Sequence, residues 1–196
     1  MKALEQVIAN LQNNNTELQE ENRKLKEKLN AIESKDTGSF ILKDPHVYRN
    51  NLYKTLDTWG PNFNIKFDIV LNKNPKWSSV ITMTTYNSNC WQHKGCRLPG
   101  VWLLTDSRNS RPNFFFASSM AGKQDNIFIP IELNQKYSVE LSNKDARFIV
   151  TMNSKVVWNI GSGASSFKDV KFWLSNPWYP SAQDFARITN LRVNGN

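Results

Sequence analysis

The chain is poor in the residues that most catalytic and metal sites require. It has only two cysteines and two histidines among 196 residues. After residue 35 its only glutamates are Glu132 and Glu140, and no two carboxylates stand two residues apart on a predicted strand. Because glycoside hydrolysis needs two carboxyl groups flanking one bond, the sequence predicts a protein that is not an enzyme.

Long apolar runs and nucleic-acid motifs are also missing. No stretch approaches the roughly 20 apolar residues of a membrane-spanning helix, so we predict no membrane span. No signal peptide is visible in the first residues, which lack a basic segment followed by an apolar one. The basic residues are scattered and match no known nucleic-acid-binding motif, so we predict no nucleic-acid partner.

Positive charge is confined to the part of the chain that follows residue 35. The first 35 residues hold six basic and six acidic residues, whereas the remainder holds 19 basic and 11 acidic residues and carries the whole net charge of +8. Such an excess favours polyanionic partners such as acidic glycans or anionic cell surfaces. A solvated basic surface is the alternative interpretation.

A seven-residue repeat runs through residues 1–34. Because one helix cannot bury such a stripe alone, the repeat predicts an α-helical coiled-coil stalk and a homo-oligomer. Glu21 would face Lys26 of the next chain, which favours a parallel arrangement. The asparagines in the seam favour a dimer and its closing residues a trimer, so both stay open. The seam residues are Leu4, Ile8, Leu11, Asn15, Leu18, Asn22, Leu25, Leu29 and Ile32.

The hydrophobic period changes to two after a polar hinge at residues 35–39, so we predict a separate domain at 40–196. Residues 63–71 alternate between apolar and mostly polar side chains, which predicts a half-buried strand. Trp77, Ile81 and Met83 are predicted to share one face of the next strand. Ten short strands with turns between them predict an all-β antiparallel sandwich, and residues 148–160 form its clearest hairpin.

The order of these strands resembles the jelly roll of the concanavalin A-like superfamily, which includes laminin G domains, pentraxins and galectins. The resemblance lies in strand rhythm and turn placement, at 63–71, 77–86, 98–103, 136–141, the 148–160 hairpin and 167–172. It implies a head that binds glycans or matrix proteins, and several members of the superfamily use calcium. The galectin pattern His-x-Asn-x-Arg does not occur.

Cys90 and Cys96 bracket a short polar loop. A local disulfide is the predicted state, especially in a secreted protein. The alternatives are a zinc site made with His93, which lacks a fourth ligand nearby, and a Cys–His nucleophile, which lacks an orienting group.

The same loop carries side chains that suit a ligand-binding rim, namely Trp91, His93, Lys94 and Arg97. Aromatic faces stack on sugar rings, and Lys or Arg pairs with acidic substituents. We therefore predict a binding site at this loop.

A second predicted binding site is the loop at 176–181, where Trp178 and Tyr179 stand between two prolines. The alternative is that one aromatic ring closes the end of the sandwich. Trp173 alternates with Val170, Phe172 and Leu174, so it is predicted to be exposed or covered by a neighbouring subunit.

No cofactor or metal is predicted. A calcium site built from Asp106, Asp125 and backbone carbonyls is the alternative, and the basic surroundings disfavour it.

These patterns together predict a secreted, multivalent, lectin-like protein that binds glycans or glycoproteins and is not an enzyme. Weak single sites would gain avidity from parallel presentation on one stalk. Two alternatives stay open. One is an extracellular matrix or adhesion module that binds protein or sulfated polyanions, and the other is a viral or phage fibre head.

Overall fold

The computed structural model describes residues 15, 18–19, 21–22, 38–87, 90, 93–107, 110–122 and 124–195. The chain divides into two compact units, Met1–Asp36 and Thr37–Asn196. In the first unit Asn15, Leu18 and Asn22 are helical and exposed. The other seam residues lie outside the described part of the chain, and the coiled coil stays a prediction. Within the described residues, no helix has the length and apolar character to cross a membrane.

The second unit is built from β-strands. In chain order they are β1 (Phe40–Leu42), β2 (Leu52–Trp59), β3 (Phe63–Leu71), β4 (Ser78–Thr84), β5 (Gly100–Thr105), β6 (Pro112–Ser118), β7 (Asp125–Pro130), β8 (Lys136–Lys144), β9 (Arg147–Met152), β10 (Lys155–Gly161), β11 (Phe167–Leu174) and β12 (Ala186–Gly195).

The strands form two six-stranded antiparallel sheets. The first sheet has the order β1-β12-β3-β8-β9-β10, and the second has the order β2-β11-β4-β5-β6-β7. The chain passes repeatedly from one sheet to the other, as between β2 and β3 and between β7 and β8, which is typical of a jelly roll. The all-β antiparallel sandwich predicted from the hydrophobic period is confirmed.

The core lies between the sheets and follows the alternation of the strands. Phe63, Ile65, Phe67, Ile69 and Leu71 of β3 are all buried, as the period of two predicted. The facing strands of the second sheet contribute Met83, Val101, Leu103, Phe114, Phe116 and Phe172. Burial of these apolar side chains is the dominant force that holds the two sheets together.

Two strands were missed by the sequence analysis. β1 has only three residues, and β2 buries only Leu56 and Trp59 of its eight. Each ends its sheet, so neither needs the regular alternation that a central strand shows.

The predicted hairpin is confirmed. Lys155 pairs with Met152, which leaves Asn153 and Ser154 as a two-residue turn with φ of 47° and 65°. Positive φ at both positions defines the type I′ turn that matches the twist of the flanking strands.

The predicted face of Trp77 is wrong. Ile81 and Met83 enter the core, whereas Trp77 packs on the opposite side of the second sheet. The pairing of β4 with β5 shifts between Ser79 and Ile81. Such a bulge adds one residue and reverses the face that the preceding side chains occupy.

Candidate ligand-binding site

Three neighbouring strands of the second sheet each carry an aromatic residue between two core residues. The triplets are 101–103, 114–116 and 127–129. Because side chains alternate along a strand, the outer members point into the core and the central ones point away from it. Trp102, Phe115 and Phe128 therefore lie on the outside of the sandwich.

These three side chains form a row across the sheet. Trp102 pairs with Phe115, and Phe115 pairs with Phe128. Their ring centroids lie 5.6 Å and 4.8 Å apart. Trp77 joins the row at 5.2 Å from Phe115. We call these four residues, together with Trp173, Trp178 and Tyr179, the outer aromatic face.

Trp102 lies flat on the sheet because its neighbour Gly100 has no side chain. A Cβ built on Gly100 would stand 2.0 Å from Cη2 of the Trp102 indole. That distance is far inside van der Waals contact, so only glycine lets the ring occupy this place.

The loop at 176–181 lies on the same side of the second sheet and is anchored by a buried asparagine. Asn176 donates from Nδ2 to Oγ1 of Thr82 at 3.0 Å. Its Oδ1 accepts from the backbone N–H groups of Trp178 and Tyr179 at 3.2 Å and 3.1 Å. This Asx turn fixes the direction in which both aromatic side chains leave the loop.

Both aromatic residues of this loop pack on the outer face. The ring of Trp178 lies 6.0 Å from that of Trp173. The ring of Tyr179 lies 6.1 Å from Trp77 and 6.2 Å from Trp102. The half-buried Tyr179 thus joins the row of strand residues to the loop.

Arg97 packs within this cluster and is 3% exposed. Its guanidinium carbon lies 4.8 Å from the centroid of the Trp102 ring. It donates hydrogen bonds to Oε1 of Gln124 and to Tyr179. Burial lowers the pKa of Arg97, and the interaction with Tyr179 opposes that shift.

Three indole N–H groups of this face are buried without an acceptor in the described chain. They belong to Trp77, Trp102 and Trp173. A buried donor without a partner costs free energy, and Trp59 of the inner core has an N–H of the same kind, so these donors do not by themselves mark a ligand site.

A pocket of about 380 Å³ opens at one end of the row. Trp77 and Phe128 supply aromatic surface, and Thr105, Asp106 and Asn113 supply polar groups. Phe128 is 49% exposed, so part of its ring is open to a ligand. An apolar wall with a few polar groups, within the usual range of about 300–1,000 Å³, is typical of small-ligand sites.

The structure brings together four of the seven predicted binding residues, namely Arg97, Trp173, Trp178 and Tyr179. A binding rim requires exposed side chains, but two of these four residues are buried. Arg97 is buried beneath Trp102 and Tyr179, and Trp173 is 9% exposed because Trp178 of the same chain packs against it.

The other predicted rim residues have different surroundings. His93 is exposed, and its ring stacks on that of Tyr86 with the centroids 6.3 Å apart. Nζ of Lys94 donates to Oγ of Ser165 at 2.6 Å. Trp91 lies outside the described residues. The role of this loop in binding therefore stays a prediction.

Cys90 and Cys96 form the predicted disulfide, with their Cα atoms 5.6 Å apart. Oxidised sulfurs cannot act as a thiolate nucleophile or as zinc thiolates, so those two alternatives do not apply to this form of the protein.

The calcium alternative finds no geometric support. Asp106 follows β5 at the Pro112 end of β6, whereas Asp125 pairs with Ser118 at the other end of that strand. The two carboxylates therefore do not converge on one ion. Among the residues that the structure describes, no three His, Cys, Asp or Glu side chains are grouped so as to hold a metal.

The sequence analysis placed Trp77 on the same strand face as Ile81 and Met83 and did not single out Trp102, Phe115 or Phe128 as binding residues. The signal for three of them was present, since a strand with three consecutive apolar residues must turn the central one away from the core. Nothing in the local sequence could identify Trp77, because a bulge decides its face.

No family model matches the chain, and no curated protein sequence is similar to it. Among solved structures the chain is similar to the marine PL7 alginate lyase AlyA1 from Zobellia galactanivorans, with a TM-score of 0.50 and 14% identity. That match covers 72% of this chain and 66% of the lyase, slightly less than two thirds of it.

A second similar structure is the polysaccharide lyase family 18 protein aly-SJ02 r-CATD. Its TM-score is 0.50 at 7% identity, over 83% of this chain and 90% of that one. At such low identity these similarities show the fold alone. The class they define is the jelly-roll β-sandwich, which confirms the fold that the strand order predicted.

Proposed function

We propose that the protein is a carbohydrate-binding protein whose site is the outer aromatic face of the second sheet. The observation that carries this proposal is the row of Trp102, Phe115 and Phe128, which is turned away from the core of the sandwich. Trp102 and Phe115 are 1% and 5% exposed and form a buried layer under the face, whereas Phe128 is 49% exposed and lines a pocket with Trp77, so these two rings supply the aromatic surface that a ligand would meet.

The chemistry of the face suits a saccharide. A sugar ring has an apolar side of C–H groups, which packs on an aromatic face, and a rim of hydroxyl groups. In the pocket the walls of Trp77 and Phe128 would take the apolar side. Thr105 and Asn113 already donate to the carbonyls of Pro75 and Arg111, so what they and the Asp106 carboxylate could offer to sugar hydroxyl groups is their oxygen atoms as acceptors.

The proposal includes secretion and oligomerisation. The Cys90–Cys96 disulfide supports an oxidising, extracellular location. The heptad seam supports a parallel dimer or trimer, and Leu18 of that seam is exposed in the single chain. Several heads on one stalk would bind a glycan-coated surface with greater avidity than one head alone.

A second candidate is a polysaccharide lyase, because the two structures described above are named as an alginate lyase and a polysaccharide lyase. β-Elimination from a uronate needs a group that neutralises the carboxylate and a group that takes up a proton. Arg97 and Tyr179 have suitable chemistry and are hydrogen-bonded to each other. However, Arg97 is buried and already bonded to Gln124 and Tyr179, which supports binding without catalysis.

The net charge of +8 supports a third candidate, a matrix or adhesion module that binds sulfated polyanions. The fibre-head alternative depends on a trimeric stalk, and the β-sandwich head is compatible with it.

A glycan array probed with the full chain would separate these candidates. We expect selective binding to particular saccharides that survives an increase in salt from low to physiological concentration. Binding to any sulfated polymer, abolished by salt, would favour the polyanion module. Incubation with alginate and other uronate polymers should give no rise in the ultraviolet absorbance of an unsaturated uronate, and such a rise would make the protein a lyase.

Valency can be tested by charging the seam. The double variant Leu11→Lys, Leu18→Lys should abolish agglutination of glycan-coated particles and leave single-site affinity unchanged, because only the oligomer is lost. The variant Asn10→Lys, Asn13→Lys adds the same charge at outward heptad positions and serves as its control. Equal agglutination by both variants would refute the role of the seam.

A further inference from the structure

Partly exposed apolar side chains of the second sheet continue beyond the pocket at its β7 end. Phe128 and Trp77 line that pocket. The half-buried ring of Tyr179 lies 6.1 Å from the ring of Trp77. Trp178, which precedes Tyr179, is also half-buried, and its ring lies 6.0 Å from that of Trp173. The apolar surface therefore passes from the pocket onto the loop that carries Trp178 and Tyr179.

The apolar surface ends at β2, on the opposite edge of the same sheet. Leu52 of β2 pairs with Trp173 of β11, and residues paired across antiparallel strands point to the same side of a sheet. Trp173 lies outside the core, so Leu52 also lies on the outer side, where it is 42% exposed. We call the partly exposed residues of this path the apolar strip, which consists of Phe128, Trp77, Tyr179, Trp178 and Leu52.

The apolar strip crosses the whole second sheet. Phe128 stands on β7 and Leu52 on β2, which are the two edge strands in the order β2-β11-β4-β5-β6-β7. Neighbouring strands lie about 4.8 Å apart, so the five intervals between β2 and β7 separate these two residues by about 24 Å. The pocket occupies only one end of this path. A single sugar ring would fill the pocket and leave the rest of the strip uncovered.

Polar groups flank both ends of the apolar strip. Thr105, Asp106 and Asn113 line the pocket at the β7 end. Towards the β2 end, Nε and Nη2 of Arg49 donate to the carbonyl oxygen of Pro177 at 3.4 Å and 3.3 Å. These bonds hold the guanidinium beside the loop, and its Nη1 has no acceptor within the described chain. A chain of sugars, which carries C–H faces and hydroxyl groups along its whole length, suits this arrangement.

We propose that the outer aromatic face binds a linear oligosaccharide or polysaccharide that lies along the apolar strip, across the direction of the strands. This inference rests on the proposed function and names its substrate class. One sugar unit occupies the pocket at β7, and further units pack on Tyr179, Trp178 and Leu52. Each further unit buries more apolar surface and adds affinity, whereas a glycan recognised by its terminal sugar gains nothing from a longer chain.

Calorimetric titration with oligosaccharides of two lengths tests the proposal. The probes are the disaccharide and the hexasaccharide of linear glucans, xylans, mannans and alginates, each titrated into the full-length protein. For at least one of these sugars we expect the hexasaccharide to bind about tenfold or more tightly than the disaccharide. Leu52→Ala should weaken binding of that hexasaccharide about threefold and leave binding of the disaccharide unchanged. Ile41→Ala, which truncates an exposed residue on the outer side of the first sheet, should change neither.

Thiol protection tests whether the bound chain reaches β2. Leu52→Cys and Ile41→Cys each introduce a thiol on an edge strand, and the two native cysteines are bonded to each other. A saturating concentration of the hexasaccharide should slow maleimide modification of Cys at position 52 about fivefold or more, because the sugar chain covers it. The disaccharide should not slow it, and neither probe should affect Cys at position 41.

Equal affinities of the two lengths for every sugar, or no protection of position 52 by a bound hexasaccharide, would overturn the inference. Equal protection by the disaccharide would also overturn it, since a short ligand would then reach β2. Modification at position 52 that is about tenfold slower than at position 41 before any sugar is added would show that another chain covers the strip. A glycan array that shows binding to terminal sugars alone would refute the linear ligand and leave the proposed function standing, whereas an array with no binding would refute both.

Discussion

The outer faces of the two sheets differ in kind, although the inner faces pack into one core. On the first sheet, charged and polar side chains bond to one another. Nζ of Lys66 lies 3.2 Å from Oε1 of Glu140, and Nζ of Lys136 lies 2.8 Å from Oδ2 of Asp68. On the second sheet, aromatic rings pack together and leave three indole N–H groups without an acceptor in the described chain.

Asp68 shows how fully the polar groups of the first face are hydrogen-bonded to one another. It accepts from Oγ of Ser138 at 2.6 Å and from Nδ2 of Asn190 at 2.9 Å, besides its contact with Lys136. Burial alone would raise its pKa, but the hydrogen bonds from Lys136, Ser138 and Asn190 outweigh it and lower the pKa to about 2.

Each outer face carries a concavity of similar volume, about 370 Å³ at Lys66 and Asp68 on the first sheet and about 380 Å³ at Trp77 and Phe128 on the second, so the lining is what distinguishes them. A polar face whose groups already bond to each other gains little by exchanging them for sugar hydroxyls. The second face presents the rings of Phe128 and Trp77, and a sugar stacked on them would displace water without breaking hydrogen bonds within the protein. Substitutions matched between the two faces can test this difference.

The largest expected effect is that of Gly100→Ala on the second face. The new methyl group would stand on the Trp102 ring and force it off the sheet, so we expect a loss of up to about 3 kcal/mol in the free energy of unfolding and loss of glycan binding. In Gly161→Ala on the first sheet the added Cβ would have no atom within 4 Å, so neither the free energy of unfolding nor glycan binding should change. Urea denaturation and the glycan array measure both; a neutral Gly100→Ala would contradict the flat placement of Trp102.

Asn176→Ala should have the next largest effect. It leaves the N–H groups of Trp178 and Tyr179 without their acceptor, which costs about 2 kcal/mol in the free energy of unfolding and releases both rings from the outer aromatic face. Glycan affinity should fall as well. Asn159→Ala, which removes an exposed acceptor of Arg147 on the first sheet, should cost less than about 0.5 kcal/mol and leave affinity unchanged.

Asp68→Asn on the first face should affect stability and not binding. Since the folded pKa lies below that of the unfolded chain, the carboxylate stabilises the protein above about pH 4, and this contribution disappears as the pH falls towards 2. Allowing for solvent screening, we expect a loss of about 1 kcal/mol at pH 6 and almost none at pH 2. Denaturation at both pH values checks this, with the exposed Asp44→Asn as control. A loss that does not depend on pH would contradict it.

Much of the sandwich could be predicted from the sequence because period-two alternation is strong where one face of a strand is buried, as in β3. The edge strands β1 and β2 were missed because little of either strand is buried. The hairpin was recognisable because Asn153 and Ser154 tolerate the positive φ that its turn demands.

The site was less predictable because its residues meet only in the folded chain. Arg97 looked like an exposed rim residue, and its burial depends on Trp102, Gln124 and Tyr179 from three other segments. The loop at 176–181 was identified from its two aromatic residues and two prolines. Its partner surface could have been inferred from the aromatic centre of each apolar triplet.

Calorimetric titration of the best glycan from the array against Phe128→Ala and Val156→Ala tests the central claim most directly. Both variants truncate an exposed apolar residue at a sheet edge, one on the outer aromatic face and one on the first sheet. We predict that Phe128→Ala weakens binding about tenfold or more with little change in stability, and that Val156→Ala binds as the unmodified protein does. Equal affinities for the two variants would contradict a glycan site on the outer aromatic face.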